Sequence, residues 1–267
     1  MTASPSGFDA LAAGYDQDFG ASAIGRIFRL RVQARLDACF HAGQKILELN
    51  CGTGEDAIHL ALKGARVLAT DESAAMLAVA DRKVRAAGLA GLVELRPLAI
   101  EELGQLGPAS FDGALSNLGG LNCVAELAPV GRDLARLLKP GAVFLGVIMG
   151  PLAAWEWVWF AARGPRPRVF RRLRAGGTPW RGKTIRYPSA FRAARAFGPG
   201  FAVRRISALG ALVPGSYAEP WAARHPRALA RLDRLERALS SAPPVWMLAD
   251  HYILELVRRP LASRVGR

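Results

Sequence analysis

The chain has 267 residues, 51% of them hydrophobic and 22% charged, which excludes a disordered or purely solvating chain and leaves room for one large domain or two small ones. Lysine and arginine outnumber aspartate and glutamate 36 to 22, and the net charge of +14 points to an anionic partner: nucleic acid, an anionic membrane or an acidic ligand. Cys39, Cys51 and Cys123 form no CxxC pair, so neither a disulfide framework nor a metal site is expected, and free thiols fit a reducing, cytoplasmic setting.

The charge is concentrated. Residues 157–218 hold no Asp or Glu but 13 cations, leaving the rest of the chain at +1. These are Arg163, Arg166, Arg168, Arg171, Arg172, Arg174, Arg181, Lys183, Arg186, Arg192, Arg195, Arg204 and Arg205.

The N-terminus has neither the charged nor the apolar region of a secretory signal. The spacing of Ile24, Phe28, Val32 and Leu36 predicts a helix over 22–40, ended by Gly43. Strands then alternate with helices. KILELN at 45–50 is an apolar strand, and 55–63 a helix stopped by Gly64. A second strand spans 66–71. Ser73 can cap a helix running to 87, with Met76, Ala80 and Val84 on one face and Gly88 at its end. Strands at 92–96 and 112–117 and a helix over 129–138 follow. A fifth strand covers 142–149.

Residues 142–162, with Glu156 the single charge, approach the length of a membrane span. Gly146, Gly150 and Pro151 interrupt them, so the stretch reads as a strand followed by an aromatic helix carrying Leu152, Trp155, Trp159 and Phe160. The Arg-, Gly- and Pro-rich residues 163–187 read as an insertion or lid. A strand at 201–209, an amphipathic helix through Leu229, Leu232, Leu235 and Leu239, and a strand at 250–258 complete the chain. The resulting organisation is an N-terminal helical cap (1–43), an α/β core (44–149), an aromatic and basic lid (150–200) and C-terminal strands and helix (201–267). Such alternation predicts an α/β fold with a doubly wound, mostly parallel sheet, which binds ligands at the carboxyl ends of its strands.

The segment with the most chemistry is ILELNCGTGEDA at 46–57, a strand running into a glycine turn and then a helix. Glycines let backbone approach a ligand, and the helix start offers unpaired N–H groups. No Walker lysine follows, so a P-loop is unsupported. Asp71 ends the second strand 19 residues after Gly52, where a carboxylate can accept both hydroxyls of a ribose. These features point to an adenosine-type cofactor without choosing one.

ILELNCGTGEDA, followed by VLATDES, FDGALSN and LLKPGAVFLGVIM, resembles class I S-adenosylmethionine-dependent methyltransferases. FDALAAGYD near the start resembles small-molecule members such as quinone-biosynthesis methyltransferases, and DHYILELVRR the family's last strand. The resemblance covers residues 8–149. It implies a Rossmann-like seven-stranded sheet with a lid after strand 5, and S-adenosylmethionine as cofactor with S-adenosylhomocysteine as product. Glu48, Gly52 and Gly54 would line the methionine part, with Asn50, Cys51 and Thr53 also among the cofactor-binding residues. Asp71 would hold the ribose, and Glu72 and Met76 would flank ribose and adenine. Ala99 and Ile100 fall at the adenine, where many members carry an acid in place of Ala99. Asn117 and Leu118 would lie beside the reacting methyl, and Tyr15 would close over the cofactor.

Methyl transfer is a direct displacement on an already activated methyl, so the protein chiefly aligns reactants and excludes water. Tyr15, Asn117 and His251 are the candidate catalytic residues, with His225 and Glu156 as further candidate bases. Cys51 reads as a buried filler, and His59 as a packed or solvated residue. The expected acceptor is a small molecule, apolar or anionic, and tryptophans beside arginines also suit peripheral contact with an anionic membrane. Residues 117–120 read Asn-Leu-Gly-Gly, unlike the Pro-Pro-Tyr stretch of enzymes that methylate DNA amino groups. A nucleic-acid methyltransferase using the basic block is therefore the alternative reading, beside a non-catalytic cofactor-binding module.

Overall fold

A computed structural model describes residues 7–108 and 111–260, without the side chains of 18, 19 and 166. The outermost parts of the expected 1–43 and 201–267 segments, and the Arg166 side chain, lie outside the described residues.

Helix α1 (Ala23–Cys39) buries the anticipated stripe of Ile24, Phe28, Val32 and Leu36. Ser22 caps it by accepting the Gly25 N–H at 2.9 Å, and the distant Glu219 accepts from Ala23 and Ile24 at 2.6 and 3.1 Å. The helix ends where Phe40 turns extended, ahead of Gly43. Next come β1 (Lys45–Leu49), α2 (Glu55–Leu62), β2 (Arg66–Asp71) and α3 (Ala74–Ala86), whose first turn Ser73 caps through the Met76 N–H. Strand β3 (Val93–Pro97), β4 (Phe111–Ser116), the single turn α4 (Gly120–Cys123) and α5 (Leu127–Leu137) follow. Strand β5 (Leu138–Met149) begins earlier than its apolar run, because Leu138 pairs with Phe111 across a register shift.

Beyond Gly150-Pro151, α6 (Ala154–Arg163) carries the aromatic residues. The chain then forms a two-stranded hairpin, β6 (Thr178–Trp180) and β7 (Lys183–Ile185), and α7 (Ala190–Ala196). Strand β8 (Phe201–Leu209), helices α8 (Glu219–Arg224), α9 (Pro226–Leu239) and α10 (Pro243–Met247), and β9 (His251–Arg258) close the fold. Among the described residues no helix is long and apolar enough to cross a membrane.

Seven strands form one sheet in the order β3-β2-β1-β4-β5-β9-β8. The first five are parallel, and β9 runs antiparallel between β5 and β8. Strand alternation sends Ile46, Val67, Leu115 and Leu145 to the face covered by α1, α2, α3, α8 and α9. Leu47, Leu68, Ala114 and Phe144 meet α5, α7 and α10 on the other. Strand β1 borders both β2 and β4, so the chain reverses its direction of growth there, and the crevice opens beyond the β1 and β4 ends.

The segment 150–200 is fastened to this sheet by charge. Buried Arg172 donates to Glu156 Oε2 at 2.8 Å, to the Gly150 and Asp250 carbonyls at 3.2 and 2.8 Å, and to the Asp250 carboxylate. Arg171 also grips Glu156, at 2.6 and 3.1 Å. The basic block is thus not uniformly free: Arg171, Arg172 and Lys183 pair with carboxylates outside it. Arg163, Arg168, Arg174, Arg181, Arg192, Arg195, Arg204 and Arg205 remain exposed.

Candidate cofactor and active site

Strand β1 enters the crevice through a turn in which Asn50, Gly52 and Gly54 all have positive φ. Asparagine tolerates that region best among residues with a side chain. Here it also ties two strand ends together: Asn50 Nδ2 donates to the Asn117 carbonyl at 2.7 Å, and Ser116 Oγ donates to Asn50 Oδ1 at 2.5 Å. Gly120 is needed beside it, since a β-carbon there would sit 2.1 Å from Asn50 Cγ.

Asp71 reaches back from β2 to the same turn. Its Oδ2 accepts the Gly52 N–H at 2.9 Å and its Oδ1 the Ser73 N–H at 2.8 Å. Each oxygen keeps a lone pair for a ligand. Burial raises its pKa above the usual aspartate value despite these two bonds.

The pocket at these strand ends encloses about 940 Å³ of space, its open mouth included. Glu48, Asn50, Cys51, Gly52, Thr53, Asp71, Glu72, Met76, Ala99, Ile100, Asn117, Leu118 and Tyr15 all line it. Gly54 does not: it starts α2, and a β-carbon there would lie 3.0 Å from Ala80 Cβ, so it serves the approach of α2 to α3. His251 does not line it either. Its ring packs edge-on against Phe28, with centroids 6.0 Å apart, and Nδ1 faces Asp250 Oδ2 at 2.9 Å. The other candidate bases also lie elsewhere: His225 stacks on Trp221, and Glu156 is held by Arg171 and Arg172.

Three buried acceptor atoms on this pocket's residues have no hydrogen-bond partner: Glu48 Oε2, Asp56 Oδ1 and Asn117 Oδ1. Burial, then the nearby Asp56 and Asp71, push the Glu48 pKa well above the ordinary glutamate range. Burial likewise raises Asp56, although Asn117 Nδ2 donates to its Oδ2 at 2.5 Å. Unpartnered buried acceptors are costly, so their convergence marks a place where a donor or cation belongs. Burial also raises the Cys51 thiol well above its usual value, which keeps it protonated and unreactive.

Several lining residues carry no signal in the local sequence pattern. Arg29 comes from α1, and its guanidinium lies 3.4 Å from Glu55. Asp56 sits in the first turn of α2, and Lys183 comes from the β6–β7 hairpin. Phe8 and Tyr15 bring the N-terminal segment over the mouth. That segment is held down by Asp16, which accepts from Thr53 Oγ1 at 2.6 Å and Lys83 Nζ at 2.7 Å, and by the Ser73–Asp9 hydrogen bond. Burial raises the Tyr15 pKa, so the phenol stays neutral.

A sheet in this order, with one antiparallel strand inserted beside the last, and an acid-lined crevice at its switch point define a class I methyltransferase core. Residues 46–141 match the family model described as a methyltransferase domain, and this segment belongs to the S-adenosylmethionine-dependent class I family. The chain is similar to the ubiquinone biosynthesis O-methyltransferase of Pseudomonas aeruginosa (strain UCBPP-PA14), at 34% identity over 143 residues, 53% of this chain and 60% of that protein. The same enzyme of Paracidovorax citrulli (strain AAC00-1) is 36% identical over 107 residues, 40% of this chain and 44% of that protein. The chain thus matches less than two thirds of the length of these curated relatives. Among solved structures, an S-adenosylmethionine-dependent methyltransferase from Mesorhizobium loti has a TM-score of 0.57 at 22% identity, covering 84% of this chain and 96% of that one. Geranyl diphosphate C-methyltransferase from Streptomyces coelicolor A3(2), solved with Mg2+, geranyl diphosphate and S-adenosyl-L-homocysteine, has a TM-score of 0.55 at 14% identity, covering 86% and 78%. At such identities the likeness concerns the fold.

Proposed function

We propose that this protein transfers a methyl group from S-adenosylmethionine to a small-molecule acceptor. The observation that carries the reading is the convergence of the unpartnered Glu48, Asp56 and Asn117 oxygens beside Asp71. That set of acceptors fits a ligand with an ammonium at one end and a ribose further along. Glu48, Asp56 and Asn117 would hold the ammonium, Arg29 the carboxylate of the same amino acid, and Asp71 the ribose hydroxyls. Leu98 and Ile100 would give the adenine an apolar edge.

When bound, S-adenosylmethionine supplies a methyl on a positively charged sulfur. The protein's part is alignment and exclusion of water. Asn117 and Leu118 would flank the reacting carbon. Phe8 and Tyr15 would roof the site, with the neutral Tyr15 hydroxyl as a hydrogen-bond donor. His251 carries no step here, because it stands outside the pocket.

A small acceptor is favoured over nucleic acid by the charges at the mouth. The two basic lining residues, Arg29 and Lys183, are each engaged with a carboxylate, Glu55 and Glu72, so neither is free at the mouth to meet a phosphate backbone. The exposed Val158, Phe170 and Leu173, in the same segment as Arg163, Arg168 and Arg174, support peripheral contact with an anionic membrane. This surface would serve an acceptor delivered from lipid.

Calorimetry with S-adenosylmethionine tests the reading, and a folded protein that binds none refutes it. Asp71→Ala should weaken binding roughly 10- to 100-fold, the worth of lost charge-assisted hydrogen bonds.

A further inference from the structure

The outer wall of the pocket comes from beyond the segment that matches the methyltransferase domain. Lys183 of β7 lines the pocket, and its Nζ lies 2.5 Å from Glu72 Oε1. Glu72 directly follows Asp71, so this ion pair joins the hairpin to the loop that would carry the ribose.

The hairpin is anchored on both sides. Asn122 accepts the Arg186 N–H on its carbonyl at 2.7 Å, donates its Nδ2 to the Arg186 and Met149 carbonyls at 2.5 and 3.0 Å, and accepts the Met149 N–H on Oδ1 at 2.9 Å. At the tip, Trp180 meets Phe8 with ring centroids 5.1 Å apart. Gly7 lies so close to the Arg181 carbonyl that a β-carbon would come within 2.2 Å of it. The hairpin therefore connects the end of β5 to the N-terminal segment over the mouth.

At this end of the pocket Ala99 has no side-chain acceptor, and its N–H is taken by Glu102 Oε2 at 3.1 Å, so Glu72 and Glu101 are the acids the core places there. We propose that Lys183 is a positioning residue for the adenosine half of the cofactor, acting through Glu72 to fix the hairpin as the wall against which the nucleoside is held. The proposal rests on the cofactor reading above. It assigns one cation of the basic block a task inside the site.

The test compares S-adenosylhomocysteine with 5′-methylthioadenosine, which has the adenosine but no amino acid. Titrated into full-length Lys183→Met, both should bind about five-fold more weakly and by the same factor, the upper range for a partly exposed ion pair. Arg29→Met should weaken S-adenosylhomocysteine alone. Lys183→Glu should be defective, and Glu72→Lys in the same chain should restore it, which also decides the matter if Lys183→Met fails to fold. In the wild type, 5′-methylthioadenosine, which lacks the charged amino acid, should dissociate faster as salt rises, a response that Lys183→Met lacks. Unchanged affinity for both ligands in Lys183→Met, or a loss confined to S-adenosylhomocysteine, overturns the proposal. A wild type that binds neither ligand overturns the cofactor reading itself and this proposal with it.

Discussion

Glu48 concentrates the physical problem of this site in one side chain. It lies on an apolar strand, alternation turns it to the face of Ile46, and one of its oxygens has no partner. Because burial raises its pKa, Glu48 without a cationic partner retains a proton at pH values where an exposed glutamate is ionised. A cationic ligand binds the ionised form. Binding should therefore release protons and tighten as pH rises through the raised value, as calorimetry in buffers of different ionisation enthalpy would show. Glu48→Gln should bind about ten-fold more weakly with a flatter pH profile. For folding, the sign is opposite. A carboxyl with a raised folded-state pKa costs stability as pH climbs above the ordinary glutamate value. The ligand-free Glu48→Gln protein should then melt at a higher temperature than wild type at neutral pH. Glu48 was legible in the sequence because a charge in an apolar run needs a reason. Asp56 was not, since an acid in a first helical turn is ordinary.

Among the elements, the insertion depends on Arg172. This guanidinium is buried with Glu156 and Asp250, and it holds the Asp250 pKa far below the usual range against the cost of burial. Arg172→Met leaves two carboxylates buried without their cation. It should destabilise the protein by about 3–5 kcal/mol, measurable by denaturant unfolding. Asp250, with its folded-state pKa depressed, stabilises the fold above the ordinary aspartate value. That contribution disappears as pH falls through its lower folded value. The regular elements were readable because their periods were clean: α1 by its four-residue stripe, α3 by its Ser73 cap, β1 by its apolar run. The β6–β7 hairpin was not. Its strands are three residues each, they sit among Arg, Gly and Pro, and their positions follow from Asn122, Phe8 and Glu72. The tryptophans of α6 also turned inward more than their sequence indicated. Trp155 donates to the Leu212 carbonyl at 2.7 Å and Trp159 packs on Tyr217. Val158, Phe170 and Leu173 are among the exposed apolar residues of the insertion instead.

Over the whole molecule, the net charge of +14 divides between internally paired and exposed cations. Some block cations are consumed in internal pairs, and the exposed ones ride on the insertion and the far sheet edge. If the exposed face meets lipid, the protein should co-sediment with vesicles containing phosphatidylglycerol and not with phosphatidylcholine vesicles. Binding should weaken as salt rises, and Phe170→Ser with Leu173→Ser should reduce it without altering cofactor affinity. Equal binding to both vesicle types would remove the electrostatic part of that reading.

Local pattern determined the α/β core, its glycine turn, the acid Asp71 at the end of β2 and the class of cofactor, because each is written within a few consecutive residues whose backbone needs are local. Only the tertiary structure decided which distant side chains share the pocket. Arg29, Asp56 and Lys183 enter it, while His251 and Gly54 stay out. Those outcomes depend on how α1, the insertion and β9 pack across the sheet, and side-chain direction at long range is not encoded in local spacing.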